Sequence, residues 1–199
     1  TDDPKGVSDE YPFEWMSKDK QDAFRHIDID LVAAGLDSEH YARIDSMVTT
    51  LKGDTTLSVR LKPRVNYKRA VSTLADMNLK MAYYNATQGS ESGYLDMLDF
   101  ARINDMKLSG EGIRNYADSV LVSRGVDPTG MSAHAKAEIL YGDMVDEQLV
   151  SVMNMRNGII ARYVAFQHKD LPAEKFTLLP LSIEDIKEYK GKDRYTVTL

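Results

Sequence analysis

Cysteine is absent from the 199 residues. Its absence excludes disulfides, thiolate zinc sites and cysteine nucleophiles. No apolar run approaches the roughly 18 residues that a transmembrane helix needs, so no membrane span is expected. Positive charge is not in surplus either. Lys and Arg number 25 against 31 Asp and Glu, a formal net charge of −6. A globally basic nucleic-acid binder is thereby excluded.

Catalytic signatures are missing as well. There is no Walker loop. Gly110-Glu111-Gly112 lacks the third glycine of a dinucleotide loop and follows no strand signal. The stretch Gly89-Ser-Glu-Ser-Gly93 has no serine at the middle position of a nucleophile elbow. Of the histidines, His26, His40, His134 and His168, no two stand four apart, and no Glu-x-x-His occurs. Neither a zincin nor a carboxylate di-iron bundle is supported. His26-Ile-Asp28-Ile-Asp30 alternates, but on a helix those side chains would diverge. No catalytic residue, metal ligand or cofactor is expected. An enzyme would have to assemble its site from dispersed Asp, Glu, His and Tyr. Its mark would be His26 or His134 in a cleft beside a buried carboxylate.

What is present is a globular balance, 43% hydrophobic and 28% charged, enough apolar material for a packed core. Helical patterning dominates it. Phe24, Ile27, Leu31 and Ala34 fall at helical spacing and predict a first helix over 18–34, with Ser17 as N-cap and Gly35 beyond its end. Tyr41, Ile44, Val48 and Leu51 predict a second from Asp37 or Ser38. Helices are also expected over 66–86, 93–106 and 110–124. The last carries Ile113, Tyr116, Ala117, Val120 and Leu121, the clearest amphipathic stripe in the chain. In the 93–106 helix, Leu95, Leu98, Phe100, Ile103 and Met106 spread around the axis, which suggests burial on more than one side.

Ser132 opens the longest helical run, 133–168. Val145, Leu149, Val152, Arg156, Ile159, Tyr163 and Phe166 make a heptad seam interrupted by one arginine. Unbroken, it would reach roughly 54 Å at about 1.5 Å per residue. Gly142 and Gly158 each weaken it, and Asn157-Gly158 is the expected break.

Two regions depart from helical spacing. In 55–65, Leu57, Val59 and Leu61 alternate with Ser58, Arg60 and Lys62, as in a strand. Pro63 argues against a central sheet position. The only visible mate is Tyr195–Leu199, so the segment is read as an extended crossing. In 169–199, Ser182 and Asp185 suggest a short capped helix and Arg194–Leu199 has strand-like composition. Phe176, Leu178, Leu179 and Leu181 are too apolar for a free tail, so they are expected to dock.

These readings define an all-α fold: an irregular helical-hairpin array of about six helices, with one long C-terminal helix and extended N- and C-terminal arms. The expected organisation is an acidic arm at 1–11, a helical domain at 12–168 and a docking tail at 169–199. The chain begins at Thr1, for which presequence removal, viral maturation and trimming are the open expectations.

Charge reverses locally. Residues 1–51 hold twelve acids against five bases, whereas 52–69 hold six bases against one acid. Arg60, Lys62, Arg64, Lys68 and Arg69 form a basic cluster suited to an acidic protein surface and, less so, to nucleic acid. With Arg156, Tyr163 and Phe166 on the long helix and Phe176, Leu178 and Leu179 beyond it, they are the expected partner contacts.

The stretch Gly112-Ile-Arg-Asn-Tyr116 through Gly125-Val126-Asp127-Pro128 resembles the second half of a pentatricopeptide-type unit. Such units often end in a basic residue, Gly, an aliphatic and a Pro or Asp. Leu31-Val-Ala-Ala-Gly35-Leu36-Asp37 echoes it earlier in the chain, although no constant period emerges. Small helical-repeat subunits of this style occur in mitochondrial assemblies. The resemblance implies a non-catalytic accessory subunit of a respiratory-chain or ATP synthase complex, located in mitochondria. The alternative expectation is a viral or phage coat or nucleoprotein whose 60–69 cluster contacts nucleic acid.

Overall fold

The computed structural model describes residues 13, 15–30, 35–88 and 95–199. The expected 1–11 arm therefore lies outside the described residues. The chain is predominantly helical, at 61% of the described residues, but it also holds a four-stranded mixed sheet. The all-α expectation is corrected accordingly. The first elements are α1 (Lys18–Ala23), β1 (Ile27–Asp28), α2 (Ser38–Gly53) and β2 (Val59–Arg64). Next come α3 (Tyr67–Gln88), α4 (Met97–Asp105), α5 (Glu111–Ser123), α6 (Ala133–Tyr141) and α7 (Val145–Gln167). The chain closes with β3 (Phe176–Leu178), α8 (Ile183–Ile186) and β4 (Arg194–Thr198). Two compact units result. One runs up to Tyr67 and includes Leu149–Leu199; the other is Lys68–Gln148.

The first unit is built on the sheet, in the order β1-β4-β2-β3. β4 pairs antiparallel with both β1 and β2, while β3 runs parallel to β2. The helix expected over 18–34 stops at Ala23. Period-two patterning explains this: Ile27 and Ile29 are buried while Asp28 and Asp30 are exposed, so that stretch suits a sheet rather than a helix. Ile27 sits opposite Tyr195, and the Ile29 N–H donates to the Asp193 carbonyl at 3.0 Å. α2 forms where expected. Asp37 and His40 close a capping box over its first turn, and Ile44, Met47, Val48 and Leu51 are buried.

β2 is central despite Pro63. The Leu61 carbonyl accepts from Leu179 N–H at 2.9 Å, so Leu61 faces β3 and its neighbours in sequence face β4. Pro63 must then turn its missing donor to the β3 side. β3 pairs only with Val59–Leu61, so no ladder bond is lost there.

The expected docking tail folds onto its own chain. β4 lies between β1 and β2, with Tyr195 and Val197 buried. Ser182 caps α8 by accepting from Asp185 N–H. Asn157 does not break α7. Its side-chain amide donates to the Leu179 carbonyl at 2.9 Å, and its oxygen accepts from the Tyr195 hydroxyl at 2.7 Å. The break in the 133–168 run falls instead at Gly142–Met144, a single 3₁₀ turn, and the helix continues through Gly158.

Lys20 reaches from α1 to Asp54, just past α2, at 2.6 Å, and the Thr56 hydroxyl donates to the same carboxylate at 2.6 Å. Lys20 first and Thr56 second hold the Asp54 pKa at about 2, against 3.8 for the free group. A depressed acid contributes stability above its unfolded pKa and loses it as pH falls through the folded one. Asp54→Asn should therefore lower the melting temperature at neutral pH. Between pH 3.8 and about 2, its melting temperature should also fall less steeply than that of the unsubstituted chain. Parallel slopes in calorimetry would refute this.

The second unit packs Ala75 and Leu79 of α3 with Ile113, Ala117 and Leu121 of α5 and with Ala137 and Leu140 of α6. The α5 stripe is thus the core it was expected to be. At its end, Gly125 has φ +76°, which only glycine adopts freely. Gly125 N–H donates to Val122 O and Val126 N–H to Leu121 O, a Schellman cap. This cap is the Gly-Val-Asp-Pro motif of the resemblance. Gly35, its counterpart in the earlier echo, does not adopt a left-handed φ.

Candidate interaction site

α4, in the second unit, has a capping box at Asp96 and Asp99. Asp99 also accepts from the Tyr84 hydroxyl of α3 at 2.5 Å. Those bonds fix which side of α4 meets α3. Tyr84 first, and the Asp96 N–H second, hold the Asp99 carboxyl below its usual range. Only Ile103 is buried on this helix. Met97 is 89% exposed, Leu98 66% and Phe100 51%. The expectation of burial on several sides is corrected here: three large apolar side chains face outward within four positions.

The basic cluster divides between the units. Arg60, Lys62 and Arg64 alternate with buried Val59, Leu61 and Pro63 and so share the outer face of β2. Thr198 and Thr196 of β4 stand opposite Arg60 and Lys62. Asp185 answers two of the three cations. Its carboxylate takes Lys62 at 2.5 Å and its carbonyl takes Arg64 at 3.0 Å. Lys62 first, with Arg64 further down the order of causes, holds the Asp185 carboxyl low. Lys68 and Arg69 lie exposed in the first turn of α3, in the other unit.

In the first unit, the end of α7 meets α2. The Tyr163 hydroxyl lies 2.9 Å from Asp45 Oδ1 and 3.0 Å from Oδ2, and His168 Nε2 lies 2.7 Å from Oδ1. The Tyr163 ring stacks on Tyr41 with centroids 4.4 Å apart. Burial, then Asp45, pushes the Tyr163 phenol above its ordinary pKa. Beside this cluster is a cavity of about 500 Å³. Ala161, Val164 and Ala165 of α7 form one wall, Phe176 and Leu178 of β3 the other, and residues 171–173 link them. His168, Lys169 and Thr177 are its polar members.

Of the expected contacts, Tyr163, Phe176 and Leu178 therefore gather around this cavity or at its edge. Leu179 continues β3 against Leu61. Phe166 is 70% exposed, with the Lys169 ammonium 5.2 Å from its ring centroid. Arg156 is different: it is 1% exposed and lies inside the unit, where its guanidinium donates to the Asp30 carbonyl at 2.6 Å. Sequence reasoning did not single out Asp45, His168 or Lys169, because one acid and one lone histidine carry no spacing signal. It did note the spread of Leu98 and Phe100 around α4, which was the available sign that one partner face could not cover them.

His26 and His134 both meet polar neighbours. His26 lines a polar cavity of about 330 Å³, but its Nδ1 accepts the Val197 N–H and the carboxylates lining that cavity, Asp28, Asp30 and Glu39, are exposed. His134 bonds Asp76 at 2.6 Å; its side chain is 62% exposed and that of Asp76 16%, and burial pushes the Asp76 carboxyl up. Among the described residues no cluster of three or more His, Asp or Glu is placed to hold a metal ion, and no helix is long and apolar enough to cross a membrane. No family model, no curated protein and no solved structure matches the chain.

Proposed function

We propose that the chain is a non-catalytic accessory subunit that holds a partner protein against α4. The exposure of Met97, Leu98 and Phe100 together carries this reading. Exposed apolar residues scattered singly need no explanation, but a contiguous set on one short helix marks an interaction surface. Full burial of each would stabilise a complex by about 1.5–3 kcal/mol before association costs. The resemblance of 112–128 to a pentatricopeptide-type unit supports a mitochondrial respiratory-chain or ATP synthase complex as the setting.

The test is the mass at which the chain migrates in an extract of its native source. The unsubstituted chain should run in an assembly well above its own 22.4 kDa. A Met97→Gln, Leu98→Glu, Phe100→Gln variant should run as the free chain and keep its melting temperature, because the replaced groups touch solvent. Migration of the unsubstituted chain as a free monomer would overturn the proposal.

The alternative, a viral structural protein gripping nucleic acid, draws on the row Arg60, Lys62 and Arg64 along β2. Asp185 weakens it by neutralising part of that row. Steeply salt-dependent binding of single-stranded RNA, lost when the three are replaced by Glu, would favour it.

A further inference from the structure

The geometry points to a ligand site in the first unit, independent of the α4 surface: the cavity between α7 and β3 binds a small amphiphile with a monoanionic head, of the class of medium-chain carboxylates. Its volume, about 500 Å³, falls in the range of roughly 300–1,000 Å³ that holds small-molecule ligands. Its two walls are apolar throughout. Ala161, Val164 and Ala165 offer small side chains that leave the groove open, and Phe176 and Leu178 offer the larger contact area opposite.

The one charged side chain lining the cavity among the described residues is Lys169. Lys169 brings a full positive charge on an exposed stem, its ammonium 5.2 Å from the Phe166 ring centroid. His168 is held by Nε2 against Asp45, whose two oxygens also take the Tyr163 hydroxyl. That arrangement fixes the ring; with the Nε2 proton donated to Asp45, Nδ1 of the neutral imidazole is an acceptor, so the ring adds shape rather than a donor. The strand edge adds one more donor. β3 is the outer strand of the sheet, and because Leu179 N–H points to β2, Leu178 N–H points away from it. Among the described residues no carboxylate lines the cavity, on a chain whose net charge is −6. Asp170, next to Lys169 in sequence, is engaged by Lys52 at 2.6 Å. An apolar trough with a lysine, an edge-strand N–H and, among the described residues, no acid selects an anionic head on an apolar body. A single full cation suits a carboxylate better than a polyphosphate.

Sodium decanoate, 1-decanol and decylammonium chloride serve as probes, read by titration calorimetry and by amide shifts in NMR spectra of the full chain. Decanoate should bind one per chain, shift the Leu178 amide and bind more tightly than decanol. Lys169→Glu lies at an exposed position and should fold normally. It should weaken decanoate by at least about tenfold and favour decylammonium instead. Ala165→Trp should block decanoate and decanol alike. Absent decanoate binding, equal affinity for decanoate and decanol, or insensitivity to Lys169→Glu would each overturn the site. None of these outcomes bears on α4, whose test is the mass of the assembly.

Discussion

A chain ending at Asp193 should fail to fold its first unit. It would lose β4, which lies between β1 and β2 rather than at an edge. Tyr195 is fully buried and Val197 nearly so, and each such side chain contributes about 1.5–3 kcal/mol. The Tyr195 hydroxyl bond to Asn157 and the ladder to Arg60–Arg64 go with them. Ile27, Val59 and Leu61 would be left facing an open gap. The combined loss is comparable to the whole net stability of a small domain, about 5–15 kcal/mol. Limited proteolysis should cut the truncated chain within residues 35–67, and circular dichroism should show a large loss of structure. If that region stays resistant, β4 is dispensable and the pairing is wrong. The point of the experiment is that the last six residues are structural, whereas a tail that docks on a partner could be removed without harm to the isolated chain.

How much of this was readable in the sequence depends on how local each signal is. Asp37 with His40, Ser182 with Asp185, and Gly125 with Val126 are caps completed within a few residues, and all three fall where the sequence placed helix ends. The α5 stripe is likewise local. β2 was visible as an alternating segment and β4 by its strand-like composition, and Tyr195–Leu199 was named as the only mate for β2, although the segment was read as an extended crossing. The sheet itself was not legible, because its β1–β4 and β2–β3 pairs join residues separated by most of the chain. Alternation in Ile27-Asp28-Ile29-Asp30 competed with a helical reading of Phe24 and Ile27, and only the presence of β4 decides between them. The candidate sites show the same division. The apolar excess at Phe176 and Leu178 was plain, but what it faces was not. The Asp45–Tyr163–His168 cluster joins α2 to the end of α7, and nothing in either segment announces the other.

Arg156→Leu should destabilise the first unit by roughly 3–5 kcal/mol, the range for removing one partner of a buried charge arrangement. A heptad seam with one arginine looks like a helix awaiting a partner. In the structure the arginine is interior, and the unit has arranged acceptors for it. Nη2 donates to the Asp30 carbonyl at 2.6 Å, and Nη1 makes a weak contact with Met153 Sδ at 3.8 Å. Burial pulls the guanidinium pKa down, while Tyr195, Asp30 and Asp193 pull it back up. Asp193 is itself 2% exposed and accepts the Asn66 N–H at 2.8 Å. Leucine would fill much of the volume but remove the donor to the Asp30 carbonyl and the positive charge that acts on the buried Asp193 carboxylate. Urea unfolding should show the loss as a lower midpoint at unchanged slope. Adding Asp193→Asn removes the charge that Arg156 opposed yet keeps an oxygen for Asn66 N–H. The double variant should therefore be more stable than Arg156→Leu alone, with a coupling between the two sites of about 1–3 kcal/mol. A single variant within about 1 kcal/mol of the unsubstituted chain, or a pair that simply adds, would mean that Arg156 acts as a long apolar stem and that its charge holds nothing together.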